Sequence, residues 1–124
     1  MKEEYEELLF ARHHKILAKV KPRGISVGDG WFNIIDLLCE GLQRVTDVGG
    51  PQVVAFQIKA KFGGLRFYVD DHSSEQGVLI KQAERMAQRT CETCGAPGER
   101  VNLDGLVVVT CLDHRNAFRK PPAG

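Results

Sequence analysis

Three cysteines and one histidine in the last third of the chain form the pattern that most constrains its fold. Two pairs, C-x2-C and C-x2-H, are separated by sixteen residues, and their members are Cys91, Cys94, Cys111 and His114. Each short spacing presents two donors from one tight turn, and two such pairs complete a four-coordinate shell. The spacing therefore predicts one structural zinc ion, because a catalytic zinc would keep one position for water or substrate.

The same cysteines admit other chemistry. A disulfide between Cys91 and Cys94, a thiol redox motif and a chance pattern are the alternatives to zinc. The redox motif is disfavoured because the pair does not follow a strand and open a long helix. The remaining cysteine, Cys39, falls on the apolar face of a predicted helix, where a reduced thiol behaves as a small hydrophobe. With no signal sequence or membrane-spanning apolar run, this cysteine usage predicts a cytoplasmic protein.

Length and charge restrict the classes of partner. A chain of 124 residues can bury one modest core, and its formal net charge of +1 is spread evenly along the sequence. Three thiolates and a neutral imidazole around Zn²⁺ would add about one further negative charge. No segment is strongly basic, which lowers the expectation of nucleic-acid binding without excluding it.

Hydrophobic periodicity predicts an α+β fold in which helices pack on a β-hairpin. The body spans residues 1–90, with helices at about 3–20, 31–45 and 74–89 and a hairpin at about 53–70. Asp29 is the predicted N-cap of the second helix, which carries Trp31 into the core. Ser73, followed by Gln76 three residues later, predicts a capping box at the start of the third helix.

Two-residue alternation assigns faces to the predicted hairpin. One face takes the apolar residues Val54, Phe56, Ile58, Ala60, Leu65, Phe67 and Val69. Gly63 and Gly64 are the predicted turn. The opposite face is polar and gives a possible contact surface, although a solvated sheet face is the simpler interpretation.

The metal ligands predict a small C-terminal module over residues 91–120. A knuckle at Cys91–Gly95 precedes two short strands joined at Asp104-Gly105, and His114 lies in the first turn of a short helix over 113–119. This order of elements is found in treble-clef zinc folds. Because no flexible linker separates residue 90 from the knuckle, the module is predicted to be rigidly docked to the body. Residues 121–124 are expected to form a tail.

Catalytic patterns are missing from the sequence. No phosphate-binding loop, nucleophile elbow or H-E-x-x-H motif occurs, and the zinc pattern lacks the H-x-E element of nucleobase deaminases. No nucleophile, base and orienting group are recognisable as a set. We therefore expect that the protein is not an enzyme and has no small-molecule substrate.

Three segments together resemble a family of small, largely uncharacterised proteins carried by bacteriophages and prophages. The segments are Gly28–Phe32, Lys61–Val69 and the cysteine module from Cys91 to His114. The resemblance implies a phage accessory protein, located in the host bacterial cytosol. Such proteins often bind and block a host protein, including CRISPR-Cas effectors and other defence components.

Two classes of partner follow from these patterns. The first is a host protein, bound through the polar face of the hairpin and the zinc module; the residues expected to contact it are Lys59, Lys61, Arg66, Tyr68, Arg115 and Arg119. The alternative is a nucleic acid, bound by a basic patch in which Lys120 would join the five cationic members of that set. No membrane partner is expected.

Overall fold

The computed structural model describes residues 1–115, and its architecture is α+β. The helices are α1 (Glu3–Arg12), α2 (His14–Leu17), α3 (Phe32–Asp47), α4 (Ser74–Ala87) and α5 (Leu112–Arg115). Two antiparallel hairpins accompany them, one of β1 (Ala55–Lys61) with β2 (Gly64–Val69), the other of β3 (Glu99–Leu103) with β4 (Leu106–Thr110). Across residues 1–115, no helix is long and apolar enough to cross a membrane.

The predicted tail at 121–124, Arg119, Lys120 and the end of the predicted last helix lie outside the described residues.

One hydrophobic core joins elements from both ends of the chain. Helix α3 packs against α4, and α4 packs against β2. The core contains Leu9 of α1, Ile35 of α3, Phe67 of β2 and Val109 of β4. Because Val109 follows the first pair of metal ligands, the cysteine module contributes directly to the packing of the body.

The N-terminal segment differs from the predicted continuous helix over 3–20. Helix α1 ends at Arg12, His13 leaves helical geometry with φ −127° and ψ 43°, and α2 stops at Leu17. His13 Nε2 lies 2.7 Å from Asp36 Oδ1, and Arg12 Nη1 donates to the other oxygen of the same carboxylate at 3.0 Å. The bend therefore coincides with a polar contact to α3, which hydrophobic periodicity does not reveal.

A β-bulge overturns part of the predicted face assignment. Ala55 pairs with Val69 and Gln57 pairs with Tyr68, so Phe56 is an extra residue on β1. Ala55 is buried, while Phe56 is 39% exposed. The prediction that Phe56 shares the inner face with Ile58 is therefore wrong, because the bulge turns its side chain outward.

The first turn is displaced by one residue from its predicted position. Phe62 and Gly63 both have positive φ, 53° and 75°, and Gly64 pairs with Lys61 as the first residue of β2. Two consecutive positive φ values give a two-residue loop of the type whose twist matches a hairpin. In the second hairpin, the predicted pair Asp104-Gly105 does form the turn, with φ of 55° and 94°.

The two predicted helix caps have different outcomes. Ser73 and Gln76 form the predicted reciprocal capping box at the start of α4. Asp29 does not cap α3; its Oδ1 accepts a hydrogen bond from the Lys2 backbone N–H at 2.7 Å. A single-turn 3-10 helix, Asp29–Trp31, leads into α3 instead.

Candidate metal centre

The four predicted ligands meet at one point of the structure. Cys91 and Cys94 belong to the turn after α4, Cys111 follows β4, and His114 lies in α5. Their donor atoms all lie within 4.8 Å of one another. These residues could therefore bind a metal ion.

The spacing of the donors can be compared with that of a four-coordinate ion. Bonds of about 2.3 Å to sulfur and 2.0 Å to nitrogen place tetrahedral donors roughly 3.5–3.8 Å apart. Cys94 Sγ lies 3.8 Å from Cys111 Sγ, and His114 Nδ1 lies 3.9 Å from Cys91 Sγ and 3.2 Å from Cys111 Sγ. These three separations are close to that range, and His114 presents Nδ1 to the cluster, so the four donors could hold such an ion.

Backbone N–H groups lower the pKa of the buried Cys91 thiol. Burial raises the pKa of the Cys91 thiol, but N–H groups of Cys111, Cys94 and Thr93 directed at its sulfur outweigh burial and lower the pKa to about 6. The turn is closed by hydrogen bonds from Cys91 N to Ala96 O at 2.7 Å and from Gly95 N to Cys91 O at 2.9 Å. These N–H groups thus favour the thiolate of Cys91, which is the form that binds a metal.

The cysteine turn is bonded to the loop that precedes α3. Gly30 N donates to Glu92 O at 2.8 Å, and Gly28 N donates to the Glu92 carboxylate at 2.9 Å. The Trp31 indole N–H donates to Thr90 O at 2.9 Å, and the Trp31 side chain is completely buried. The prediction that Trp31 is a core residue is confirmed.

Two glycines allow the loop before α3 to lie directly against the cysteine turn. A Cβ added to Gly30 would lie 2.1 Å from Cys91 O, and one added to Gly28 would lie 2.3 Å from Glu92 O. Neither distance is compatible with a side chain, since backbone atoms would have to move. In the sequence, Asp29 of this segment is interpreted as an N-cap and the segment contributes to a resemblance, but neither pattern predicts the contact with the cysteine turn. The available signal was a pair of glycines one residue apart, directly before a tryptophan.

A second contact links the metal-bearing part of the chain to the tip of the first hairpin. Arg100 Nε of β3 donates to Phe62 O at 3.0 Å. Gly63 lies against β4, where an added Cβ would be 3.1 Å from Val107 Cγ1. The β1–β2 turn therefore rests on the β3–β4 hairpin.

The predicted partner-binding residues divide into two groups. Lys59 and Arg66 pair across the first hairpin, and Tyr68 and Lys61 lie on its same outer side. Arg115 is separate, because it pairs with Glu99 at 2.7 Å beside the metal ligands. The contact role of these residues stays a prediction, and Arg119 lies outside the described residues.

Comparison of the chain with protein-family models, with curated proteins and with solved structures found no match.

Proposed function

We propose that this chain is a non-enzymatic accessory protein that acts by contact, with a structural Zn²⁺ ion ordering its contact surface. The observation that carries the proposal is the hydrogen bond from Arg100 to Phe62 O. This bond joins the β3–β4 hairpin of the cysteine module to the turn of the β1–β2 hairpin. Metal binding at one end of the module would thereby fix the β1–β2 hairpin. The surface presented to a partner is the outer side of that hairpin.

The donor set supports zinc as the ion. Three thiolates and one imidazole are borderline-soft ligands that suit Zn²⁺, and their donor atoms lie within 4.8 Å of one another. The order of knuckle, hairpin, cysteine and helical histidine supports a treble-clef-like module. Four protein donors leave no position for water, so this ion would supply folding free energy rather than chemistry.

The resemblance to phage proteins supports a host component as the partner. In this proposal the chain works in the bacterial cytoplasm and blocks or redirects that component, and anti-phage defence machinery such as CRISPR-Cas effectors belongs to the expected class. The hairpin surface suits such a role because exposed residues that are fixed by a preorganised scaffold lose little entropy on binding.

Hydrogen exchange with and without a chelator tests the link between metal and surface. Purified protein should contain one zinc per chain, and chelation should increase exchange at the β1–β2 turn as well as in the cysteine module. The variant Arg100→Ala should loosen the turn while zinc remains bound. Unchanged exchange at the turn after complete metal removal would contradict the proposal.

Site-specific photo-crosslinking tests the contact surface in bacterial cells. A crosslinking side chain at Phe56 lies on the outer side of the first hairpin, whereas one at Leu37 lies at an exposed position of helix α3. Adducts are expected from Phe56 and not from Leu37. Equal adduct yields from the two positions would show that the hairpin is not the contact surface.

A further inference from the structure

We propose that the outer face of the first hairpin binds single-stranded nucleic acid by stacking bases on its aromatic pair. The outer face is defined as Phe56, Gln57, Lys59, Lys61, Arg66 and Tyr68. This inference rests on the proposed function, since it uses the surface that the metal module orders. It replaces the host protein by a single-stranded nucleic acid as the partner of that surface.

The aromatic pair is created by the β-bulge on β1. The rings of Phe56 and Tyr68 are stacked, with centroids 5.9 Å apart and planes inclined by 17°. Phe56 is 39% exposed although phenylalanine is apolar, so part of its ring is accessible at the surface. Unpaired bases have exposed π-faces and stack on such rings, whereas the bases of a duplex have theirs buried.

The charge of the outer face complements a phosphate backbone. Neither β1 nor β2 contains an aspartate or a glutamate. Within residues 1–115, Lys59, Lys61 and Arg66 form no ion pair. Glu84 of α4 lies close enough to Arg66 to offset part of its charge, so the two lysines are the principal cations.

The lysines lie beside aromatic rings. Lys59 Nζ is 5.9 Å from the centre of the Tyr68 ring, and Lys61 Nζ is 5.8 Å from that of Phe62. A stacked base and its phosphate would thus meet a ring and a cation together. An acidic peptide would use the cations but would leave the ring faces unmatched, and for this reason we favour nucleic acid over an acidic peptide.

A groove continues the cationic surface beyond the turn. It has a volume of about 410 Å³ and is lined by Lys61, Phe62, Arg66 and Arg100, with the Glu84 carboxylate of α4 as the one acidic group among the described residues that line it. A strand stacked on Phe56 could extend its backbone along this groove. The size of the two-stranded face suits about two or three bases, the number stacked by other small sheet platforms.

Fluorescence anisotropy with the zinc-loaded chain tests the assignment. The probes are labelled oligodeoxythymidylate and oligouridylate of about twenty nucleotides, a duplex of equal length and a polyglutamate peptide. The single strands should bind most tightly. Their log association constant should fall with log salt with a slope of about −1.4 to −2, for two or three phosphates at roughly 0.7 each.

Matched variants separate stacking from folding. Phe56→Leu keeps the apolar bulk and removes the π-face, and it should weaken single-strand binding about fivefold or more at an unchanged melting temperature. Val78→Ala, an exposed apolar residue on α4, is the control and should leave binding unchanged. Replacing Lys59 and Lys61 with glutamine should lower the salt slope by about 1.4.

Three results would overturn the inference: no single-strand binding, equal binding of the duplex or the polyglutamate peptide, or full binding by Phe56→Leu. If a protein is crosslinked from Phe56 while the oligonucleotides fail to bind, the contact function stands and the partner class is wrong. If chelation leaves the hairpin turn unaffected in hydrogen exchange, the proposed function itself fails, whatever the oligonucleotides do.

Discussion

Gly30 illustrates how a single residue can join two distant parts of a chain. Its N–H bonds the carbonyl of Glu92, and its missing side chain leaves room for the Cys91 carbonyl. Gly28, two residues earlier, donates its N–H to the Glu92 side chain across 64 residues of sequence. Both glycines are required by close approach rather than by unusual dihedral angles.

Gly30→Ala is expected to destabilise the fold by about 3 kcal/mol or more, because its Cβ would overlap backbone atoms that cannot rotate away. Denaturant unfolding measures the change. Gly41→Ala is the matched control. Its Cβ would meet only Leu79 Cδ1 at 3.4 Å in the interior of α3, where alanine is preferred over glycine by about 1 kcal/mol. Similar losses at the two positions would refute the close-packing account.

Phe62 has a positive φ, a backbone conformation that is unfavourable for a residue with a bulky side chain. Its φ is 53° and its ring is 66% exposed, so packing gives little compensation for the strain. Phe62→Gly should therefore raise the free energy of unfolding by up to about 1 kcal/mol. Lys61→Gly, at an ordinary strand position beside it, should lower that energy by about 0.5–1 kcal/mol. A destabilised Phe62→Gly variant in thermal unfolding would mean that the ring is needed for stability.

The residue-scale errors of sequence analysis share one physical origin. Phe56 was assigned to the inner face because alternation assumes an uninterrupted ladder, and a bulge leaves no trace in hydrophobicity. Asp29 was assigned as a cap because of its place before an apolar helix, yet it accepts a hydrogen bond from the N-terminal segment. Strand register and long-range hydrogen bonds decide such cases, and local sequence does not contain them.

At the scale of elements, the metal ligands were the most predictable part of the molecule. Short ligand spacings have few geometric solutions, so Cys91, Cys94, Cys111 and His114 could be grouped from sequence alone, and their donor atoms do lie together. The break between α1 and α2 was not predictable, because apolar residues continue at helical spacing through His13. The bend depends on Asp36 of another helix.

Replacement of a ligand should disrupt the cysteine module. Cys94→Ala and His114→Ala are expected to lose stoichiometric zinc and to lower the melting temperature strongly, since metal binding supplies folding free energy to so small a module. Cys39→Ala removes a buried thiol outside the cluster and should keep one zinc per chain. Elemental analysis and thermal unfolding of the three variants measure both effects. Retention of a full metal equivalent by Cys94→Ala or His114→Ala would exclude that residue as a ligand.

At the scale of the whole molecule, the core and the candidate metal centre are parts of one packing arrangement. Val109 of β4 belongs to the same buried cluster as Leu9 of α1. Glu92 N also donates to Val109 O at 3.0 Å, next to the metal ligands. Loss of the metal should consequently reach beyond residues 91–115.

Chelation should change the environment of Trp31, the single tryptophan of the chain. Its indole N–H bonds Thr90 O, directly before the first metal ligand, and the side chain is fully buried. Removal of the metal is expected to shift the fluorescence emission to longer wavelength as water reaches the ring. A variant lacking His114 should show the shifted spectrum without chelator. An unshifted spectrum in metal-free protein would show that the body packs independently of the module.

The Gly30–Cys91 contact also sets an order of events during synthesis. The ribosome makes the N-terminal part of the chain first. The loop before α3 therefore has no hydrogen-bond partner in the cysteine turn until residues 90–95 have emerged. Until then the Trp31 indole lacks the Thr90 carbonyl as its hydrogen-bond acceptor. Part of the apolar surface of the nascent chain therefore stays accessible to chaperones and proteases. Translation speed across the second half of the message should therefore influence how much of the polypeptide survives to maturity.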